Sequence, residues 1–173
     1  CLVEVRTDAG ITGVGEALAR FSPKAYAELI ETSLTPRLIG QNPTNITAHW
    51  HSMRRAFSGR GGGMLLEAIS GIDIALWDIL GKVAGLPIHR LLGGKRRDSV
   101  RVYASIGGAA EASPESIAQR AEAAVKDGFT AVKIRQDYGP LIPDRNVKKD
   151  LAVLDAVRKA IGDDVELKYD VNN

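Results

Sequence analysis

The sequence has no excess of either charge: 23 Lys and Arg stand against 21 Asp and Glu in 173 residues. Nothing in that balance selects a polyanion, so neither nucleic acid nor an anionic membrane surface is an expected partner. Cysteine is nearly absent. Cys1 has no internal partner for a disulfide, which fits a reducing compartment, and a cytoplasmic location is the expectation. No apolar run approaches the roughly 20 residues that cross a bilayer, and no basic-then-apolar leader opens the chain. An initiator methionine is lacking too. The chain starts inside one strand pattern, "CLVEVRTDAG", and stops inside another, "LKYDVNN", so both ends read as cut. Histidine pairs with metal-ligand spacing are missing: His49 and His51 are two apart on a predicted helix and face different ways, while His89 stands in a junction.

With 45% apolar residues the chain can build one domain with a sizeable core, or two small ones. Residues 1–17 read as a hairpin, with Val3 and Val5 alternating against Leu2, Glu4 and Arg6, and with turn chemistry at Asp8, Ala9 and Gly10. Ser22-Pro23 starts a helix carrying Tyr26, Leu29, Ile30 and Ser33, which Pro36 is expected to end. A second helix places Ile46, Trp50, Met53 and Phe57 at helical spacing, with Trp50 and Trp77 read as core residues. The loop "SGRGGG" could cradle a phosphate, but no strand leads into it, and a turn or lid is the plainer reading. Beyond it Leu65, Ala68, Ile69, Ile72, Leu76, Ile79 and Val83 mark one apolar face of a long helix that Gly85 and Pro87 stop. Gly71 and Gly81 interrupt that helix at about 1 kcal/mol each relative to alanine, which points to close contact with another backbone.

After "LLGGKRRDS" the grammar changes. A strand over 100–105, a helix from Ser113-Pro114 through Ile117, Ala121 and Val125, a strand over 130–136, a helix marked by Val147, Leu151, Leu154 and Ile161, and a strand over 165–171 predict right-handed parallel crossovers. A doubly wound open sheet and part of a (β/α) barrel both fit. Val132 and Ile134 alternate with Lys133 and Arg135; Leu167, Tyr169 and Val171 alternate with Glu166, Lys168, Asp170 and Asn172. Central strands of an open sheet are covered on both faces and should be apolar on both. The barrel is the better fit, since its polar strand ends can line a mouth, although the pattern alone does not decide.

Ala68 to Gly93, "AISGIDIALWDILGKVAGLPIHRLLG", resembles the signature segment of the mandelate racemase and muconate lactonizing branch of the enolase superfamily. "LVEVRTDAGITGVGEA" is similar to the last hairpin of that family's capping domain, "GRGGG" precedes the signature helix as expected, and "VKIRQ" and "YDVNN" resemble the ends of its second and third barrel strands. The resemblance covers essentially the whole chain. It implies an α/β protein: an α+β capping domain in residues 1–97, incomplete at its start, then the first three strands of a modified (β/α)7β barrel in residues 98–173.

Members of this family remove the proton α to a carboxylate and stabilise the resulting enediolate with a divalent metal, normally Mg2+. The resemblance makes Asp170 the first of three acidic metal ligands, a hard oxygen donor suited to that ion. The other two would come from later strands. Asn172 matches the D-x-N position and would orient substrate or ligand. Lys133 and Arg135 match the catalytic K-x-K motif with one departure. Arginine stays protonated and is a poor base. Arg135 is therefore expected to pair with carboxylate or enediolate oxygens, or to lower the pKa of a substrate-binding partner such as Tyr138. The competing structural reading puts Lys133 and Arg135 in an internal salt-bridge layer with Glu166 and Lys168.

The expected substrate is a small hydroxy-carboxylate or sugar acid, and the expected assembly a homo-oligomer. Acid-sugar dehydratase is preferred, because loss of the second lysine removes half of a two-base proton exchange; racemase or epimerase comes next, then cycloisomerase. With one acidic ligand of three, the 173 residues alone are expected to be inactive, and a catalytically silent fragment or structural homologue is the non-enzymatic alternative.

Overall fold

The computed structural model describes residues 1–19, 22–58, 62–109, 112–137 and 146–170. The chain forms two compact units, Cys1–Arg96 and Arg97–Asn173.

In the first unit β1 (Leu2–Arg6) and β2 (Thr12–Glu16) form an antiparallel hairpin in which Val3 faces Gly15 and Val5 faces Gly13. Its turn is closed by Thr7, whose N–H and side-chain hydroxyl both donate to the Ile11 carbonyl at 3.0 Å. Gly10 there takes a positive φ of 78°. The hairpin lies on α3 (Met64–Ala84), whose Leu65, Ala68, Ile69, Ile72, Leu76 and Ile79 are buried in one core with Val3, Tyr26, Leu34, Ile46 and Met53.

Strand and helix touch backbone to backbone. A Cβ added at Gly13 would stand 2.0 Å from the Ala75 carbonyl oxygen, and one at Gly15 would stand 2.0 Å from that of Gly71. Gly71 itself leaves room for Ala17 and Val3. Gly81 is required by a different contact: the chain turns back at Gly85 (φ 64°), Leu86 N–H donates to the Gly81 carbonyl at 2.9 Å, and a Cβ at Gly81 would lie 2.8 Å from the Leu86 oxygen. That is the glycine-terminated Schellman closure of a helix. Val83, expected on the apolar face, is 56% exposed.

The outer edge of β2 is also met by α3. Val14 N–H donates to Asp78 Oδ2 at 2.9 Å, and Lys82 Nζ donates to the Thr12 carbonyl and to Asp78 Oδ2, both at 2.7 Å. A helical i, i+4 pair thus satisfies backbone groups that an edge strand would leave to water or to another chain. On the same helix, burial pushes the Asp73 carboxyl above its ordinary range, opposed by a hydrogen bond from Trp77.

Two expectations for the connecting helices change. The first helix, α1 (Pro23–Leu29), does not end at Pro36: it continues through a π-helical turn, Ile30–Leu34, and Pro36 lies within a 3-10 turn, Thr35–Arg37. A proline is tolerated at the start of such a turn, where its missing N–H has no partner to lose. Ser22 precedes α1 but makes no side-chain cap. The second helix, α2 (Ile46–Arg54), closes in a 3-10 turn, Arg55–Phe57, which leaves Phe57 exposed; Trp50 and Trp77 are half-buried against the core. A short helix, α4 (Ile88–Leu91), follows α3.

The second unit is a parallel sheet in the order β3 (Ala104–Ala109), β4 (Ala131–Asp137), β5 (Glu166–Asp170), with α5 (Pro114–Lys126) and α6 (Val147–Ile161) as crossovers. Ser113 Oγ accepts from Ser116 N–H at 3.2 Å and Asn146 Oδ1 from Lys149 N–H at 3.0 Å, so both helices start on side-chain caps. Ile106, Val132 and Ile134 point to one side of the sheet and pack with Ile117, Ala121, Val153, Val157 and Ile161.

The first strand starts later than its sequence pattern indicates. Residues 100–103 precede the ladder, and pairing begins with Ala104 opposite Val132. In α6 the buried stripe is Val153, Val157 and Ile161, whereas Val147 and Leu151 are 67% and 60% exposed. Among the described residues no helix is long and apolar enough to cross a membrane.

Gly15→Ala is expected to cost on the order of 3 kcal/mol of unfolding free energy by overpacking. Gly62→Ala, where a Cβ meets nothing within 4 Å, leaves the denaturation midpoint in place. Equal midpoints for the two variants would contradict the backbone contact.

Asp78 is held below the ordinary carboxylate range, chiefly by the Lys82 hydrogen bond and then by Val14 N–H. A carboxylate whose pKa is lower folded than unfolded stabilises the fold above its unfolded pKa, and that contribution is lost as pH falls through the folded value. Urea unfolding of Asp78→Asn across the acid range should show a shallower decline than wild type. An unchanged slope would remove this contact from the stability account.

Candidate active site

Parallel pairing without a bulge puts register partners on the same side of the sheet. Ser105, Lys133 and Lys168 form one row; Gly107, Arg135 and Asp170 form the row above it, toward the C-terminal strand ends. On the face opposite the helices these two rows therefore hold one serine, one glycine, three cations and a carboxylate. Gly107 leaves open space where a side chain would stand. This is the polar strand face that the alternating pattern predicts.

Lys133 and Asp170 meet across the two rows. Lys133 Nζ donates to Asp170 Oδ2 at 3.2 Å, with the two side chains 23% and 37% exposed. Arg135 is beside Asp170 in register and is exposed. The structure thus brings Lys133, Arg135 and Asp170 to one end of one face.

Below them is a second charged group. Glu166 pairs with Lys168 at 3.1 Å and with Arg101 at 2.9 Å. Arg101 also donates to the Thr130 hydroxyl and carbonyl, each at 3.1 Å. The Lys168 ammonium, with Arg101 adding to it, holds the Glu166 carboxyl below its ordinary range. The competing reading of Lys133 and Arg135 is therefore corrected for Lys133: a salt-bridge layer exists, but Arg101, Glu166 and Lys168 make it, and Lys133 pairs with Asp170. The two carboxylates stand four residues apart on the same side of β5, and the one nearer the strand end takes Lys133.

Tyr103 was not among the sequence candidates. Its ring centroid is 5.6 Å from Lys133 Nζ and 5.4 Å from Lys168 Nζ, within the range of cation–π attraction for both. The sequence signal was faint: an aromatic residue two positions before Ser105 on the same strand parity.

Asn172 and Tyr138 lie outside the described residues, as do residues 59–61 of the glycine-rich loop. Buried His49 is a satisfied core residue, with Nε2 2.7 Å from the Asn42 carbonyl oxygen, and His51 packs edge-on against Trp50. Among the described residues no three His, Cys, Asp or Glu converge on a possible metal site. Asp170 offers one carboxylate at the strand end. Its hard oxygens fit a divalent cation such as Mg2+, and the described residues supply that single acidic donor of the three expected.

Comparison with known proteins agrees with this architecture. Residues 1–93 match the profile of the mandelate racemase/muconate lactonizing enzyme N-terminal domain. D-galactonate dehydratase of Ralstonia pickettii is 37% identical over 170 residues, which cover 97% of this chain and 44% of that protein. D-galactarolactone cycloisomerase of Agrobacterium fabrum is 39% identical over 180 residues, covering 99% of this chain and 44% of that one. The crystal structure of a mandelate racemase/muconate lactonizing protein from Paracoccus denitrificans superimposes with a TM-score of 0.90 at 32% identity, over 99% of this chain and 47% of that one. The chain thus spans less than half the length of the relatives it matches. With an N-terminal capping unit followed by a three-stranded parallel sheet consistent with a partial barrel, it belongs to the mandelate racemase/muconate lactonizing enzyme family.

Proposed function

We propose that the full-length protein is a Mg2+-dependent acid-sugar dehydratase, which removes the proton α to the substrate carboxylate and expels the β-hydroxyl as water. The observation that carries this reading is the Lys133–Asp170 contact beside Arg135 on the helix-free face of adjacent parallel strands, with Asp170 at the C-terminal end of β5. Relatives at 34–37% identity named D-galactonate dehydratase, and one at 35% named D-xylonate dehydratase, support the substrate class.

The chemistry asks for positive charge where negative charge develops. Loss of the α-proton turns a carboxylate into a more highly charged enediolate, and preorganised cations lower that barrier. Asp170 would contribute one ligand to the divalent ion, which supplies Lewis acidity to the substrate carboxylate when bound. Lys133, held against Asp170, presents an ammonium to the same region. Arg135 has the planar guanidinium fork that grips a carboxylate, and a guanidinium is a poor proton acceptor, so its role is orientation and charge rather than proton removal. With arginine at this position only one amine on β4 can exchange protons. That favours an irreversible elimination over the two-sided exchange a racemase needs.

The test is a panel of acid sugars, D-galactonate and D-xylonate included, incubated with the full-length protein and Mg2+. The expected product is the corresponding 2-keto-3-deoxy acid. A lactone rearrangement without loss of water would favour a cycloisomerase, and no turnover with any acid sugar would favour a catalytically silent homologue.

Asp170→Asn should lower kcat/KM by about a hundredfold or more, as for loss of one charge-stabilising group, and weaken Mn2+ binding measured by calorimetry. Unaltered kcat/KM and metal affinity would refute the ligand role. Arg135→Gln should raise KM by about tenfold or more if its guanidinium grips the substrate carboxylate; a fall confined to kcat would assign Arg135 to the chemical step instead.

A further inference from the structure

Lys133 and Lys168 are direct cross-strand partners, and like charges placed opposite one another repel. The structure separates them by giving each a different carboxylate. Lys133 reaches up to Asp170, and Lys168 turns down to Glu166. Yet Lys168 and Asp170 are two residues apart on one face of one strand, roughly 6 to 7 Å between Cα atoms, well within the span of a lysine side chain. Lys168 could therefore take the place of Lys133 on Asp170. Two groups favour the observed arrangement: Glu166, itself anchored by Arg101 at 2.9 Å, and the Tyr103 ring, 5.4 Å from Lys168 Nζ and 5.6 Å from Lys133 Nζ.

We propose that Tyr103 and Glu166 are positioning residues that restrain Lys168, so that Lys133 alone occupies the ammonium site at Asp170. The ring gives the Lys168 ammonium a favourable place away from Asp170, 5.4 Å from its centroid, and Glu166 gives Lys168 a carboxylate of its own. The inference rests on the proposed reaction for its kinetic consequence, and on geometry alone for its structural one.

The experiment uses full-length protein carrying Tyr103→Leu, Tyr103→Phe, Tyr103→Leu/Glu166→Gln and Tyr103→Leu/Glu166→Gln/Lys168→Met. Crystal structures of the metal-free forms read the contact directly. With ring and carboxylate both removed, Lys168 Nζ should move onto Asp170 and displace Lys133; Tyr103→Phe, which keeps the ring, should keep the Lys133–Asp170 pair. Kinetically, Tyr103→Leu should lower kcat by about threefold to tenfold, the scale of one or two cation–π contacts, with a larger loss in the double variant. Adding Lys168→Met should restore most of that loss, because the competitor is gone. A role in packing would give no such rescue.

An unchanged Lys133–Asp170 pair in the double variant overturns the proposal, as does failure of Lys168→Met to restore the pair. If the wild-type protein dehydrates no acid sugar, the reaction reading fails while the crystallographic comparison still decides this one.

Discussion

A β-strand assigns each side chain to one side of its sheet, and three parallel strands in register extend that assignment into a surface. That constraint governs the second unit. On one side Ile106, Val132, Ile134, Leu167 and Tyr169 must be covered, and α5 and α6 supply Ile117, Ala121, Val153 and Val157 for the purpose. On the other side the same strands present Ser105, Lys133, Arg135, Lys168 and Asp170, whose charged groups would be costly under a helix and are useful at an open mouth. Packing of the first face thus fixes the placement of the second. A one-residue slip in any strand would exchange the two.

The first unit is organised by a different limit, the thickness of a side chain. Removing Cβ atoms at Gly13, Gly15 and Gly71 lets β2 settle against the backbone of α3, and Asp78 and Lys82 then reach the groups on its outer edge. Gly81 serves the helix end instead, where the chain returns over it. The family's signature helix reads as a stripe of apolar residues, but its glycines and its Asp78–Lys82 pair do as much to hold the hairpin.

Periodicity made the architecture legible, and its failures share a cause. Alternation in "AVKIR" and "ELKYD" separates the two sheet faces without reference to distant residues, which is why Lys133, Arg135 and Asp170 could be grouped in advance. In α6 two helical stripes compete, Val147 with Leu151 and Val153 with Val157; both have the right spacing, and only the sheet selects the second. Gly13 and Gly15 look like ordinary small strand residues until α3 lies on them. Tyr103 escaped notice because its significance depends on the register of three strands, and its strand was placed too early. The partner of Lys133 was ambiguous for the same reason: Glu166 and Asp170 lie on the same side of β5, and a choice between them requires knowing how far β4 and β5 are offset.

The proposed activity depends on Asp170 serving as a ligand to a divalent cation on this face. Anomalous diffraction from crystals of the full-length protein soaked in Mn2+ tests that directly. A peak at coordination distance from the Asp170 carboxylate, on the side of the sheet that carries Lys133 and Arg135, is the predicted result. A fully occupied Mn2+ bound elsewhere, with the Lys133–Asp170 pair unchanged, would contradict it.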